Sequence, residues 1–189
     1  MAVSKKQKIL DTALVLFVEQ GIHSTSTASI AKASGVANGT LFHHFPSKED
    51  LVISLYQNLK QDFARQVAPQ GIASEDLKQQ AKSAWDKALD WTIANPLRQQ
   101  FCLQAVHYQP LTCQLQAKVL EEEFGYLRKL IEYGQQQKLI ANYPLDLMLD
   151  NCHGQFLTSS SFFINHPELA ENPEYREAAF EIFWRALKA

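Results

Sequence analysis

The sequence predicts an all-α chain, an N-terminal three-helix head followed by a longer helical body, about nine helices in all. Apolar residues recur at three- and four-residue spacing along nearly the whole chain, and no stretch alternates apolar with polar and then meets a hairpin turn. All seven prolines, with Gly21, Gly35 and Gly71, fall at the edges of the periodic segments, where such residues stop helices. No internal repeat or low-complexity tract interrupts the pattern.

The first helix opens at Ser4-Lys5-Lys6-Gln7, which has capping-box spacing: a serine oxygen for an orphan amide and a glutamine three residues on to reach back. Ile9, Leu10, Ala13, Leu14, Phe17 and Val18 form its apolar stripe, and Gly21 ends it. Ser24-Thr25-Ser26-Thr27 offers several N-caps for a short second helix through Ile30, Ala31 and Ala33. Ser34-Gly35-Val36 is a tight turn. A third helix runs from about Ala37 to His44 and stops at Phe45, because Pro46 disfavours helical geometry in the residue before it. Ser47 caps a fourth helix whose first turn carries Glu49 and Asp50, favourable to the helix dipole.

Two short helices joined by a glycine-containing turn and packed on a first helix make a helix-turn-helix pattern. Ala31 is small where the two helices cross, and Gly35 stands where the turn needs a left-handed residue. Ile30, Val36 and Leu41 are spaced to face the three-helix core. Ser34 departs from the pattern, since an apolar residue is commoner there. The body continues with helices near 47–66, 74–94, 97–106, 110–138, 144–165 and 173–187. The breaks are Pro69-Gln70-Gly71, Asn95-Pro96, Pro110, Asn142-Tyr143-Pro144 and the stretch from His166-Pro167 to Asn172-Pro173.

Composition is that of a globular protein, 46% hydrophobic and 20% charged. No apolar run approaches the ~18–20 residues of a membrane span. The N-terminus leads into an amphipathic pattern rather than an apolar signal core, and Cys102, Cys113 and Cys152 are an odd, unclustered set. A reduced, cytoplasmic protein with no membrane association is therefore expected. The net charge of −2 divides unevenly. Residues 1–48 hold five lysines against Asp11 and Glu19, while the rest of the chain holds 13 basic against 18 acidic residues. A basic head on an acidic body suits one end that faces phosphate.

The segment from Thr27 to Leu51 resembles the DNA-binding signature of the TetR family of repressors. Its most specific part is Gly39-Thr40-Leu41-Phe42-His43-His44-Phe45-Pro46-Ser47-Lys48, and with Phe17 and Gly21 the likeness covers most of residues 5–52. The resemblance implies a DNA-binding domain over 1–47 and a ligand-binding and dimerisation domain over 48–189. It further implies that Ala37, Asn38, Gly39 and Thr40 open a recognition helix whose amino end enters the major groove. Asn38 is suited to bidentate pairing with an adenine edge. Gly39 admits close backbone approach, and Thr40 offers a hydroxyl to phosphate. Phe42 stands where the family usually has tyrosine, so a phosphate contact through that hydroxyl is missing here. His43 and His44 can bond phosphate or base, and Thr27, Ser29 and Lys48 resemble phosphate contacts, which position a protein on DNA rather than specify sequence.

The same resemblance makes the chain a dimer on a palindromic, double-stranded operator, with its last two long helices building a four-helix bundle across a two-fold axis. Phe156, Phe163, Tyr175, Ala179, Ile182 and Phe183 are its candidate interface residues. Trp85, Phe101, Gln104, His107, Phe124, Cys152 and Phe156 are candidates for a pocket that takes a small hydrophobic effector. Trp91, Tyr108, Tyr126, His153 and Gln155 lie on the same helices. An effector would release DNA by favouring one state of the protein over another.

Two other readings compete. A helical enzyme is one, but Gly-x-Ser-x-Gly, His-Glu-x-x-His, Gly-x-Gly-x-x-Gly, P-loop and paired Cys-x-x-Cys motifs are all missing, so no catalytic residue is assigned. Glu121-Glu122-Glu123 spread around a helix as a solvated face. No cofactor or metal is expected: adjacent His43 and His44 point ~100° apart on a helix, and Cys102, His107, Cys152 and His153 share no ligand-like spacing. The other reading keeps DNA binding without an effector, as an activator or chromosome organiser. A body filled by its own side chains would favour it.

Overall fold

The computed structural model describes residues 4–67, 76–111 and 113–189, and the side chains of all of these except 113–124. The break at Pro69-Gln70-Gly71 and the side chains of Cys113, Glu121, Glu122, Glu123 and Phe124 lie outside the described residues. Within them the chain is all-α: nine α-helices, one short 3₁₀ turn and no strand. It folds as two compact units, Met1–Gln61 with Leu97–Lys118, and Asp62–Pro96 with Val119–Ala189.

In the first unit, helix α1 spans Lys5–Gln20 and is capped by Ser4, whose side chain accepts from the Gln7 amide at 3.1 Å. The predicted capping box is only half made. The Gln7 side chain turns forward and donates to Asp11 at 2.8 Å instead of reaching back. Gly21 closes the helix at φ +83°, a conformation costly for any residue with a Cβ, and its amide donates to Phe17. Of the four possible caps for α2 (Thr27–Ala33), Ser26 serves, accepting from the Ser29 amide. Thr25 is instead buried and donates to the carbonyls of Leu16 and Gly21, tying the loop to the end of α1. Gly35, at φ +70°, makes the turn to α3 (Asn38–His44). Ser34 has a local explanation. Its hydroxyl donates to the Ile30 carbonyl at 2.8 Å, a second bond to an acceptor that the Ser34 amide already reaches at 2.9 Å, so the polar side chain is satisfied at the helix end.

Phe45 is extended, as the residue before Pro46 should be. Ser47 then starts α4 (Lys48–Val67) by accepting from the Asp50 amide and donating to its carboxylate. Ile9, Leu10, Ala13 and Phe17 are buried together with Ile30, Ala31, Leu41 and Phe45 where α1, α2 and α3 pack, with Leu51, Val52, Leu55 and Tyr56 of α4 also buried. Val36, expected inside, is only half-buried. Helix α6 (Pro96–Ala105) completes this unit. Its Phe101 is fully buried and stacks on Phe17, and Gln104 donates to the Val18 carbonyl at 3.3 Å.

The second unit holds α5 (Leu77–Ala94), α8 (Leu145–Asn165), α9 (Pro173–Leu187) and most of α7 (Cys113–Gln136). Leu77, Ala81, Trp85 and Leu89 of α5 pack with Leu130, Ile131, Met148, Cys152, Phe163, Phe180 and Phe183 in one core. Gly134 is needed for space: a Cβ there would lie 2.6 Å from Ile140 and 2.7 Å from Leu77. The chain returning past Ile140 pairs with the end of α9, where the Ala141 amide donates to Leu187 at 2.8 Å. Asn172 caps α9 and Pro173 occupies its first turn, so this helix begins where the sequence places it.

Candidate nucleic-acid interface

Helix α3 is only seven residues long and divides sharply. Leu41 is fully buried, as is Phe45 just beyond its end, and these two fix the helix on the unit's core. Ala37, Asn38, Gly39, Phe42 and His43 face outward, Phe42 at 45% exposure, while Thr40 and His44 are half-buried. The outward residues recur at one and four positions, so Asn38, Gly39, Phe42 and His43 make a single stripe along one side of the helix. None of their side chains makes a hydrogen bond among the described residues. Gly39 is notable because its backbone is ordinarily helical and an added Cβ would meet nothing within 4 Å. The fold itself therefore has no need of glycine at position 39.

The flanks are more tightly engaged. The Ser29 hydroxyl donates to the Ser26 carbonyl at 2.7 Å, so its only proton is already committed within α2. Thr27 is half-buried and has no such commitment. Lys48 donates one ammonium hydrogen to the His23 carbonyl at 2.9 Å, which leaves two of its three directed elsewhere. Burial, and then the carboxylate of Glu49 next to Lys48, hold the hydroxyl of buried Tyr108 above its ordinary pKa. The Tyr108 ring also lies 5.3 Å from that of His23. The start of α4 and the loop after α1 are thus fastened together. His23, exposed in that loop, has no helical periodicity to reveal it in the sequence. Lys5, Lys6, Lys8 and Lys32 are all exposed, with the Lys6 ammonium 5.8 Å from the centre of the Phe45 ring.

The residues assigned by sequence to a ligand pocket divide between the two units. Trp85, Cys152 and Phe156 lie in the second, where the rings of Trp85 and Phe156 meet edge-on at 5.7 Å. Phe101 and Gln104 hold α6 in the first unit, and His107 is exposed there. The structure adds Phe63, whose ring meets that of Trp91 at 5.0 Å beside Phe156. Trp91 carries an aromatic signal in the sequence, whereas Phe63 is one apolar residue among many in α4. Of the interface candidates, Phe163 and Phe183 are buried in their own unit's core, and Phe156 and Ala179 are half-buried. Tyr175 and Ile182 stand outward at 42% and 70% exposure. Exposed Phe162, one residue out of phase with the predicted stripe, stacks on Tyr175 with planes 10° apart. Among the described residues no three His, Cys, Asp or Glu side chains gather as a metal site, and no helix is long and apolar enough to cross a membrane.

Comparison with known proteins gives a consistent picture. The profile of the family described as bacterial regulatory proteins, tetR family, matches residues 9–55, which span the buried half of α1 through the first turns of α4. The crystal structure of a tetR family transcription regulator from Shewanella sp. PV-4 is 44% identical in sequence and superposes with a TM-score of 0.93. The match covers 99% of this chain and 100% of that one. The Fatty acid metabolism regulator protein of Bacillus subtilis (strain 168) is 34% identical over 85 residues, 45% of this chain, and the match spans only 41% of that relative's length. The Probable acrEF/envCD operon repressor of Escherichia coli (strain K12) is 27% identical over 168 residues, 82% of this chain and 74% of the relative.

Proposed function

Because the chain belongs to the TetR family of transcription regulators, we propose that it is a dimeric repressor whose α3 reads a palindromic operator and whose body binds a small hydrophobic effector that releases the DNA. Relatives of this chain are transcription regulators rather than enzymes. Repression is the proposed output because the Escherichia coli relative is named a repressor.

The observation that carries the DNA reading is the outward stripe of α3. Asn38, Gly39, Phe42 and His43 stand outside the buried core, His43 meeting the ring of its neighbour His44 at 5.4 Å, and Gly39 leaves open space where any other residue would place a side chain. Asn38 offers a paired donor and acceptor to an adenine edge. Thr40, Thr27, His44 and Lys48 supply donors to flanking phosphates, and Ser29 does so only after exchanging its bond to Ser26. Recognition thus belongs to residues 1–47, with effector binding and dimerisation in 48–189. In this reading the exposed apolar pair Tyr175 and Ile182, with Phe162, meets the same surface of a second copy. A dimer presents two α3 helices to two half-sites, and the protein works in the cytoplasm, where its DNA is.

The test is selection of bound sites from random DNA by the full chain. Enrichment of a two-fold-related pair of half-sites about 10 bp apart, or a multiple of that, supports the reading. Recovery of no preferred sequence counts against it.

A further inference from the structure

The second unit contains a run of four aromatic rings. Trp85 meets Phe156 edge-on at 5.7 Å, Phe156 meets Phe63 at 5.7 Å, and Phe63 meets Trp91 edge-on at 5.0 Å. Both indoles are 5% exposed. The Nε1–H donors of Trp85 and Trp91 are buried yet find no hydrogen-bond partner among the described residues. The same is true of the hydroxyl of Thr92, beside Trp91, and of the Gln155 side-chain carbonyl, beside Phe156. A buried polar group without a partner is the exception in a folded protein, and each one calls for an account. Here two donors, a hydroxyl and an acceptor are left open on α5 and α8, the helices that carry three of the four rings. A core that only had to pack would use phenylalanine at 85 and 91 and an aliphatic residue at 155.

Charge is the second observation. Among the described residues of this unit, the buried polar side chains are Thr92 and Ser160, and no Lys, Arg, Asp or Glu is buried. Arg128 reaches inward with its Nε–H buried and without a partner among the described residues, and its charge is answered by Asp146, which accepts from a terminal nitrogen at 3.0 Å. Burial pushes Tyr126 and Cys152 up to about 12, so both stay neutral across the physiological range. An ionised ligand would lose its hydration here, and the one cation that reaches inward already has its counter-charge in Asp146.

We propose that the second unit binds an uncharged aromatic molecule carrying an acceptor oxygen and an N–H or O–H donor, its ring among Trp85, Phe156, Phe63 and Trp91. The oxygen accepts from the indole N–H groups and the donor reaches the Gln155 carbonyl. The proposal rests on the effector reading above and specifies the chemistry of its ligand.

The experiment is a thermal-shift and indole-fluorescence screen of the full chain against a panel of neutral aromatic amides, benzanilide among them. Each amide is paired with a carboxylate of the same size, such as biphenyl-4-carboxylate for benzanilide. Several neutral amides are expected to bind saturably and at least tenfold more tightly than their paired carboxylates. Trp91→Phe, which keeps a ring and removes the donor, should weaken them about tenfold, as should Gln155→Leu. Preference for the carboxylates overturns the proposal, as does binding unchanged in both variants. Failure of every neutral amide by a protein that still binds its DNA also overturns it, and leaves the regulator reading standing. Loss of specific DNA binding by the wild type is the separate result that would remove the regulator reading.

Discussion

The ring of Phe101 stacks on that of Phe17 at 5.9 Å with their planes 25° apart. They lie 84 positions apart in the sequence, and their contact makes α6 part of the same core as the first helix of the head. What happens to α6 therefore bears directly on the unit that carries α3.

Phe101→Ala accordingly costs about 3–5 kcal/mol of stability, as expected for a fully buried aromatic ring. The loss falls on DNA binding, because the first unit loosens. Urea unfolding followed alongside operator affinity checks this: a variant as stable as wild type, or one destabilised with DNA affinity unchanged at low temperature, goes against it.

Gly39→Ala separates fold from function. The position is helical with open space around it, so alanine should stabilise the protein by roughly 0.5 kcal/mol. The added methyl stands between α3 and whatever it approaches, so affinity for operator should fall roughly tenfold, about 1.4 kcal/mol. Thermal melting and DNA titration together read both halves.

Ile182→Asp tests the apolar outer face of the last helices. At 70% exposure the side chain contributes little to its own subunit, so stability of the fold should change by no more than about 0.5 kcal/mol. Sedimentation equilibrium should report a dimer for wild type and a monomer for the variant, with far-UV circular dichroism unchanged. A dimeric variant would place the interface elsewhere.

Lys60 is 7% exposed on α4, its ammonium 5.5 Å from the centre of the Tyr56 ring, and burial holds its pKa below the ordinary 10.5. The unfolded chain thus binds more protons than the folded one between that lowered value and 10.5, and this group's contribution to stability rises with pH across that window. Lys60→Met keeps the apolar stem and removes the titrating group, so the variant's stability relative to wild type should fall as pH rises through that window. Melting temperatures of both proteins from pH 6 to 10 check this. A relative stability that grows with pH contradicts the assignment.

Much of this fold was legible in the sequence because helix ends are local events. Gly21, Gly35, Phe45-Pro46, Ser47 and Asn172-Pro173 act within a few residues of themselves, and each does what its chemistry predicts. Competition among local partners was harder to resolve. Gln7 chose Asp11 over its own cap, and Thr25 turned inward while Ser26 took the capping role. Long-range allegiance was not legible at all. A helical stripe records that Phe101, Phe163 and Phe183 are covered, but not by what, and the covering partners prove to be the chain's own core. The outward residue Phe162 sits beside buried Phe163, a distinction of phase that apolar spacing alone does not make.

The most direct test of the central claim, that α3 reads DNA, is a titration of the full chain into labelled DNA from the region around its own gene. Wild type is compared with Asn38→Ala and Thr40→Ala at two salt concentrations. Specific binding should weaken steeply with salt, be lost in Asn38→Ala, and be reduced on all sequences alike in Thr40→Ala. Weak binding that is equal on every sequence and indifferent to both substitutions would contradict it, and would leave α3 as a packing element alone.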